Sequence, residues 1–206
     1  MKKNLFIAFE GIDGSGKSTQ VKLLAERLIT EGHKVYSTFE PTDGPIGKLI
    51  RDIFNHRKEG DHRTIAALFV ADRLEHLLNK KDGILKKLEE GFTVITDRYY
   101  FSSYAYHSVH MDMGWVIEAN KLSAQLLRPD LNIYIDIPPE ISMQRIKNDR
   151  SSVEMYETLE NQKKVYAKYD EAFERERNRE KILKVNGTQS PDKIAEEIWA
   201  SIFKLE

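Results

Sequence analysis

Five short strand candidates, Leu5–Phe9, Lys34–Phe39, Phe92–Thr96, Leu131–Ile137 and Ile182–Val185, recur along the chain with longer mixed stretches between them. The first is a continuous apolar run, the pattern of a parallel strand covered on both faces. The stretches 17–31, 46–56, 64–90, 115–127, 139–147, 153–178 and 191–204 carry helical patterns. In the first of these Val21, Leu24, Ala25, Leu28 and Ile29 recur at helical spacing, and Gly32 is placed to end the helix. Strands alternating with helices predict βαβ units, hence an α/β fold with a parallel sheet. Right-handed crossovers then put helices on both faces. There is no internal repeat or low-complexity segment. The length, 206 residues, suits one α/β domain over 1–206 with at most a small insertion.

In such a sheet, ligands gather at the carboxyl ends of the strands. Four polar motifs begin there: the loop after Phe9, Glu40-Pro41 after the second strand, Asp97-Arg98-Tyr99 after the third, and Asp136 on the fourth. The first is the most informative. Gly11-Ile12-Asp13-Gly14-Ser15-Gly16-Lys17-Ser18 fits G-x-x-x-x-G-K-[ST], between a strand and a helix as a phosphate-binding loop requires. It names a ligand class, a nucleoside triphosphate with Mg²⁺, and a fold class, the P-loop NTPases. Gly11, Gly14 and Gly16 free the backbone so that several N–H groups can face one concavity. The following helix N-terminus adds partial positive charge. Lys17 can reach the β- and γ-phosphates, and the Ser18 hydroxyl can ligate Mg²⁺. Thr19 either assists near the α-phosphate or is an ordinary helix N-terminal threonine.

Composition narrows the alternatives. A formal net charge of -1 gives no electrostatic case for nucleic acid or a membrane surface, and the absence of cysteine excludes a disulfide framework, a Cys-based zinc site and a thiol nucleophile. No apolar stretch approaches the roughly 20 residues of a membrane span. Lys2 and Lys3 before an apolar run imitate a signal peptide, but the run stops at Glu10 and no small-residue cleavage site follows. A cytoplasmic protein is expected. Asn186-Gly187-Thr188 is a glycosylation sequon by letter only.

The third strand candidate ends in Asp97, where a carboxylate can hold Mg²⁺ directly or through water. Arg98, at the ligand edge of the sheet, suits a phosphate group bidentately, and Arg51 and Arg73 are further candidates. The stretch from Asp97 to Tyr106 is unusually aromatic. Taken together, Phe9 to Gln20, Glu40-Pro41, Phe69…Arg73, Asp97-Arg98-Tyr99…Ser103…Ala105-Tyr106 and Arg128-Pro129-Asp130 resemble the thymidylate kinase family along nearly the whole chain.

The resemblance implies a five-stranded parallel sheet, a homodimer, and transfer of the γ-phosphoryl group of MgATP to dTMP. It implies roles by position. Lys17 and Ser18 handle ATP and the metal; Asp13 meets the deoxyribose 3′-hydroxyl. Phe69 stacks on thymine, although its spacing also suits a core helix residue. Arg73 reaches a base carbonyl, Arg98 holds the acceptor phosphate, and Asp97 stands on the metal side. Ser103 faces the base, and Tyr106 crowds the place of a 2′-hydroxyl. Glu40, Pro41 and Arg51 complete the acceptor side. An acceptor that is already a phosphate needs no general base, so alignment and charge clamping can carry the catalysis.

Some relatives carry an Arg inside the phosphate loop, where this chain has Gly14 and Ser15. The missing charge is expected from a lid, about 145–153, with Arg145, Lys147 and Arg150 as candidates. Three departures stand out: Phe39 before Glu40 and Met155 after the lid, where Arg is common, and His107 where a Gln that meets the base is common. Phe39 and His107 leave base selectivity open. Asn79-Lys80-Lys81-Asp82 matches the guanine-reading N-K-x-D pattern, but it follows a helical stretch and reads as a helix end. His107 and His110 lack a third metal ligand. Two other readings remain: a kinase of another acceptor, such as dUMP or a deoxynucleoside, and a nucleotide-dependent switch with no second substrate.

Overall fold

The computed structural model describes residues 4–149 and 155–202. Five strands, β1 (Phe6–Glu10), β2 (Val35–Phe39), β3 (Thr93–Asp97), β4 (Leu131–Asp136) and β5 (Ile182–Asn186), form one sheet in the order β2-β3-β1-β4-β5. Every pairing is parallel. β1 is central, and all five of its residues are buried. The register sets Phe9 beside Asp97 and Glu10 beside Tyr134, so the polar strand ends share one edge of the sheet.

Alternation along β1 divides the core. Leu5, Ile7 and Phe9 face a layer built from α1 (Lys17–Thr30) and α10 (Pro191–Ile202), with Leu24, Leu28, Ile194 and Ile198 packed against them. Phe6 and Ala8 face the opposite layer, formed by α3 (His62–Leu78), α4 (Ile84–Glu89), α5 (Tyr100–His107), α6 (Met113–Ala119), α7 (Lys121–Leu126) and α9 (Leu159–Glu176). Period-two alternation is what a sheet covered on both faces requires. α2 (Pro45–Phe54) packs on α3 through Ile50, Ile53, Ile65 and Phe69, and α8 (Pro139–Asp149) follows β4.

The strands lie within two residues of the sequence expectation, and Gly32 ends α1 with a φ of +85°. The helices differ more. The stretch 64–90 is two helices, because Asn79 ends α3: its side-chain oxygen accepts the Lys81 N–H at 2.9 Å, and the turn leads to Gly83. The N-K-x-D match is therefore a helix cap, as expected. The stretch 115–127 is broken at Asn120, which is drawn into the interior by Arg73. α9 starts at Leu159, capped by the Thr158 side chain, which accepts the Asn161 N–H; the expected start at 153 lies outside the described residues, but residues 155–158 form a turn rather than helix. α5 has no counterpart in the pattern reading. All eight of its residues are buried, so it shows no polar face by which a helix is recognised.

Candidate active site

The phosphate loop leaves the end of β1 and enters α1 through Gly16, which has a φ of +98°. Gly14 has a φ of +70°, and a Cβ there would lie 2.8 Å from the Ser142 carbonyl oxygen. Glycine is therefore needed both for the turn and for the close approach of α8. Ser142 reinforces that approach by donating to the Asp13 carbonyl. Lys17 is folded back on the loop and donates to the Ile12 carbonyl at 3.0 Å. Burial, with Arg98 nearby, pushes its ammonium down to about 8.

Ser18 donates to Asp97 Oδ2 at 2.6 Å, and Asp97 Oδ1 is buried with no hydrogen-bond partner among the described residues. A hydroxyl and an unsatisfied carboxylate oxygen side by side are hard donors of the kind that a small divalent cation takes. These residues fit a phosphate-bound metal. Among the described residues there is no group of three His, Cys, Asp or Glu that could hold one alone.

Three cavities meet around this loop. A groove of about 470 Å³ runs along Gly14 to Gln20 and is walled by Arg145, Gly187, Gln189 and Pro191. Arg145 spans it, donating to the Ser15 carbonyl at 3.3 Å and to the Gly187 carbonyl at 3.0 Å. Thr19 lines the same groove and is exposed. Of the other lid candidates, Lys147 is exposed and lines none of these cavities, and Arg150 lies outside the described residues. A cleft of about 450 Å³ opens over Lys17, Ser18 and Asp97. Behind it is a pocket of about 210 Å³ walled by Phe54, Phe69, Tyr106, His107 and Tyr156, with Pro41, Arg51 and Ser103 at its margins.

Asp13, Phe39, Arg98 and Glu157 line both the cleft and the aromatic pocket, and so form a throat between them. Arg98 has a φ of +74° and donates to the Gly11 carbonyl at 3.1 Å, to Ser102 Oγ at 3.0 Å, and to Asp13 Oδ1. Asp13 Oδ2 accepts the Tyr106 hydroxyl at 2.7 Å and Gln162 Nε2 at 3.1 Å. Burial opposes ionisation of Asp13, but the Arg98 and Lys17 charges overcome it, and its carboxyl is held below the usual carboxylate range. Asp13 and Tyr106 are thus joined to each other at the place where the resemblance implies sugar contacts.

Two residues expected on the substrate turn toward each other. The Arg73 guanidinium is 1 % exposed and pairs with Glu40 at 2.6 Å. Its remaining hydrogens go to Ser103 Oγ, Asn120 Oδ1 and the Tyr99 carbonyl, and it does not line the aromatic pocket. Glu40 Oε1 also lies 3.1 Å from His76 Nδ1. Two opposite charges buried together satisfy one another, which draws Arg73 behind Ser103 rather than into the pocket. Glu40 and Pro41, joined by a cis peptide bond, lead into a loop held by Arg51, which donates to the Pro41 carbonyl at 2.7 Å. Phe69 does present an aromatic wall, with the Phe54 ring 5.9 Å and the His107 ring 5.0 Å away. Burial pushes the His107 imidazole down to about 3, and its Nδ1 has no partner among the described residues. His110 is not paired with His107; it stacks on His62 at 3.6 Å.

Several site residues escape pattern reading. Phe54, Tyr156 and Glu157 come from segments with no motif, and Gln162 and Tyr169 from the charged helix α9. Glu10 carried a signal that was available: a carboxylate closing a wholly apolar strand.

A phosphate loop, a metal-fitting pair and a second pocket joined by an arginine throat define a phosphate-loop protein that brings two ligands together. Comparison with known proteins narrows the class. The thymidylate kinase family model matches residues 9–198. A probable thymidylate kinase of Pyrococcus horikoshii is 44 % identical over 180 residues, 83 % of this chain and 85 % of the relative. A thymidylate kinase of Shouchella clausii is 38 % identical, covering 90 % of this chain and 89 % of its own length. One from Leptospira borgpetersenii serovar Hardjo-bovis is 32 % identical, covering 96 % and 92 %. The chain belongs to the thymidylate kinase family, the ATP-dependent kinases of a nucleoside monophosphate.

Proposed function

We propose that this chain transfers the γ-phosphoryl group of MgATP to dTMP, giving dTDP and ADP. The single observation that carries the reading is Arg98, a guanidinium shared by the cleft over the phosphate loop and the aromatic pocket. A donor in the cleft and a flat-based acceptor in the pocket would meet across it. On this reading the triphosphate lies on the loop N–H groups and Lys17, with Arg145 beside it in the same groove. Ser18 and Asp97 would hold Mg²⁺, which neutralises charge on the transferring phosphates when bound. Phe69 offers its ring face to the base. Arg98 holds the acceptor phosphate in line, so that alignment and charge neutralisation lower the barrier without a general base.

A broader acceptor range is favoured by one observation. Arg73 spends its hydrogens inside the protein, which leaves Ser103 and the neutral His107 to meet the base edge. Both groups can donate or accept, so dUMP and other deoxynucleoside monophosphates are candidate second acceptors.

The protein acts as a homodimer in the cytoplasm on this proposal. Leu78, Trp115, Leu122 and Leu126, all exposed, supply apolar surface within residues 46–127. Among the described residues no helix is long and apolar enough to cross a membrane. The direct test is chromatographic detection of dTDP from MgATP and dTMP. Product formation supports the proposal; ADP release with no dTDP overturns it.

A further inference from the structure

Glu10 is a buried carboxylate that the phosphoryl-transfer reading does not use. Glu10 is 0 % exposed at the point where β1 passes into the phosphate loop, and it lines neither the cleft nor the aromatic pocket. Its Oε1 accepts the Tyr99 N–H at 2.9 Å. Its Oε2 accepts from Ser102 Oγ at 2.6 Å and from the Tyr169 hydroxyl at 3.1 Å. Donors from the β3–α5 turn, from α5 and from α9 therefore converge on one side chain of β1.

The polarity of this cluster matters. An ionised carboxylate only accepts. Ser102 has a single hydrogen, and giving it to Glu10 turns a lone pair toward Arg98 Nη1, which donates to it at 3.0 Å. The Tyr99 N–H bond fixes the residue after Arg98. Arg98 itself holds the left-handed conformation, φ +74°, which side-chain-bearing residues keep only where their surroundings over-determine it. Thr96 Oγ1, donating to the Arg98 carbonyl at 2.9 Å, secures the other side of the turn.

The fold maintains this carboxylate against its own stability. Burial pushes Glu10 up to about 7, with Ser102, Arg98, Tyr99 and Tyr169 opposing the shift. Lys17 and Arg73 also feel its charge. A folded-state value above the unfolded one means that the native protein binds the proton more tightly, so ionising Glu10 as pH rises destabilises the fold.

We infer that Glu10 is a positioning residue for the acceptor phosphate: through Ser102 and the Tyr99 N–H it holds the Arg98 guanidinium in the throat. This rests on the reading of Arg98 as the clamp on that phosphate. Glu10→Gln keeps the shape but cannot accept at both ends. Ser102→Ala removes the relay and leaves Glu10, and Ser102→Thr restores a hydroxyl.

The test is steady-state kinetics with dTMP and MgATP, joined to thermal unfolding at pH 8. Glu10→Gln and Ser102→Ala are each expected to raise the KM for dTMP about 10-fold. The KM for ATP should stay within about 2-fold, and both variants should keep a cooperative thermal transition at pH 8. Ser102→Thr should recover most of the loss. The double variant should be little worse than either single one, because both act through Arg98. An unchanged dTMP KM in both variants overturns the inference. So does an equal loss toward both substrates with a lowered melting temperature, the signature of a merely structural group. If the parent protein forms no dTDP, the clamp reading fails first and is recognised by that result.

Discussion

A guanidinium that already donates to Gly11, Ser102 and Asp13 has its plane set before any ligand arrives. Preorganised charge of this kind stabilises a transition state without reorganising at the moment of reaction. Arg98→Ala is therefore expected to lower kcat with dTMP by about 10²- to 10³-fold, with the fold kept, as read by coupled ADP release and circular dichroism. His107 gives a test that needs no substrate. Burial holds its imidazole neutral in the folded protein down to about pH 3, while in the unfolded chain it titrates near 6.5. Below pH 6.5 the unfolded state takes up a proton that the native state refuses, so stability falls with pH by up to about 1.4 kcal/mol per unit. His107→Gln should flatten that acid slope between pH 6.5 and 4 in urea unfolding; an identical slope in the variant would contradict the buried neutral histidine. At this scale the sequence was most legible where backbone-defined motifs bring residues together: Lys17, Ser18, Asp97 and Arg98 all line the cleft over the phosphate loop. It was least legible for Arg73 and Glu40, because each is opposite in charge to the other and only the fold reveals their proximity.

At the scale of elements, the site is built where helices end on strand ends. Gly14 shows how tightly. A methyl group there would meet the Ser142 carbonyl of α8 as well as the Ile146 side chain, in a left-handed conformation that alanine resists. Gly14→Ala should destabilise the protein by about 1–3 kcal/mol and raise the ATP KM more than the dTMP KM, measured by thermal melting and kinetics on the same preparation. An unchanged melting temperature and ATP KM would contradict the loop–α8 packing. The amphipathic helices α1, α9 and α10 were legible because one face of each meets the core. α5 was not, since Tyr100, Phe101, Tyr104 and Ala105 leave no polar stripe. α9 was visible as a helix but silent about function: its contribution is Gln162 on Asp13 and Tyr169 on Glu10, two uncharged side chains in a helix dominated by charge.

For the whole molecule, strand–helix alternation was enough to give a parallel α/β sheet with its polar strand ends on one edge. The order β2-β3-β1-β4-β5 depends on which crossover passes which strand, and no local pattern records that. The exposed side chains raise a question of assembly. Trp115 is 49 % and Leu122 52 % exposed, and Leu126, on the same helix α7 as Leu122, is exposed beside them in sequence. Large apolar groups gathered in one region of the surface mark an interface more often than a free surface. On the homodimer proposal, Trp115→Glu with Leu122→Glu is expected to give a monomer in light scattering at micromolar concentration where the parent is a dimer. A dimer that persists in the double variant would place the interface elsewhere.

The throat formed by Asp13, Phe39, Arg98 and Glu157 joins the cleft to the aromatic pocket, and on the proposed function two ligands react across it. That claim is tested most directly by coupled ADP release with MgATP, comparing dTMP, dUMP, dCMP and dGMP with acceptor-free buffer. The expected result is ADP production that depends on the acceptor and is strongest with dTMP. The contradicting result is ADP released at one rate whichever acceptor is present or absent, which would make the chain a nucleotide-dependent switch and the aromatic pocket no acceptor site.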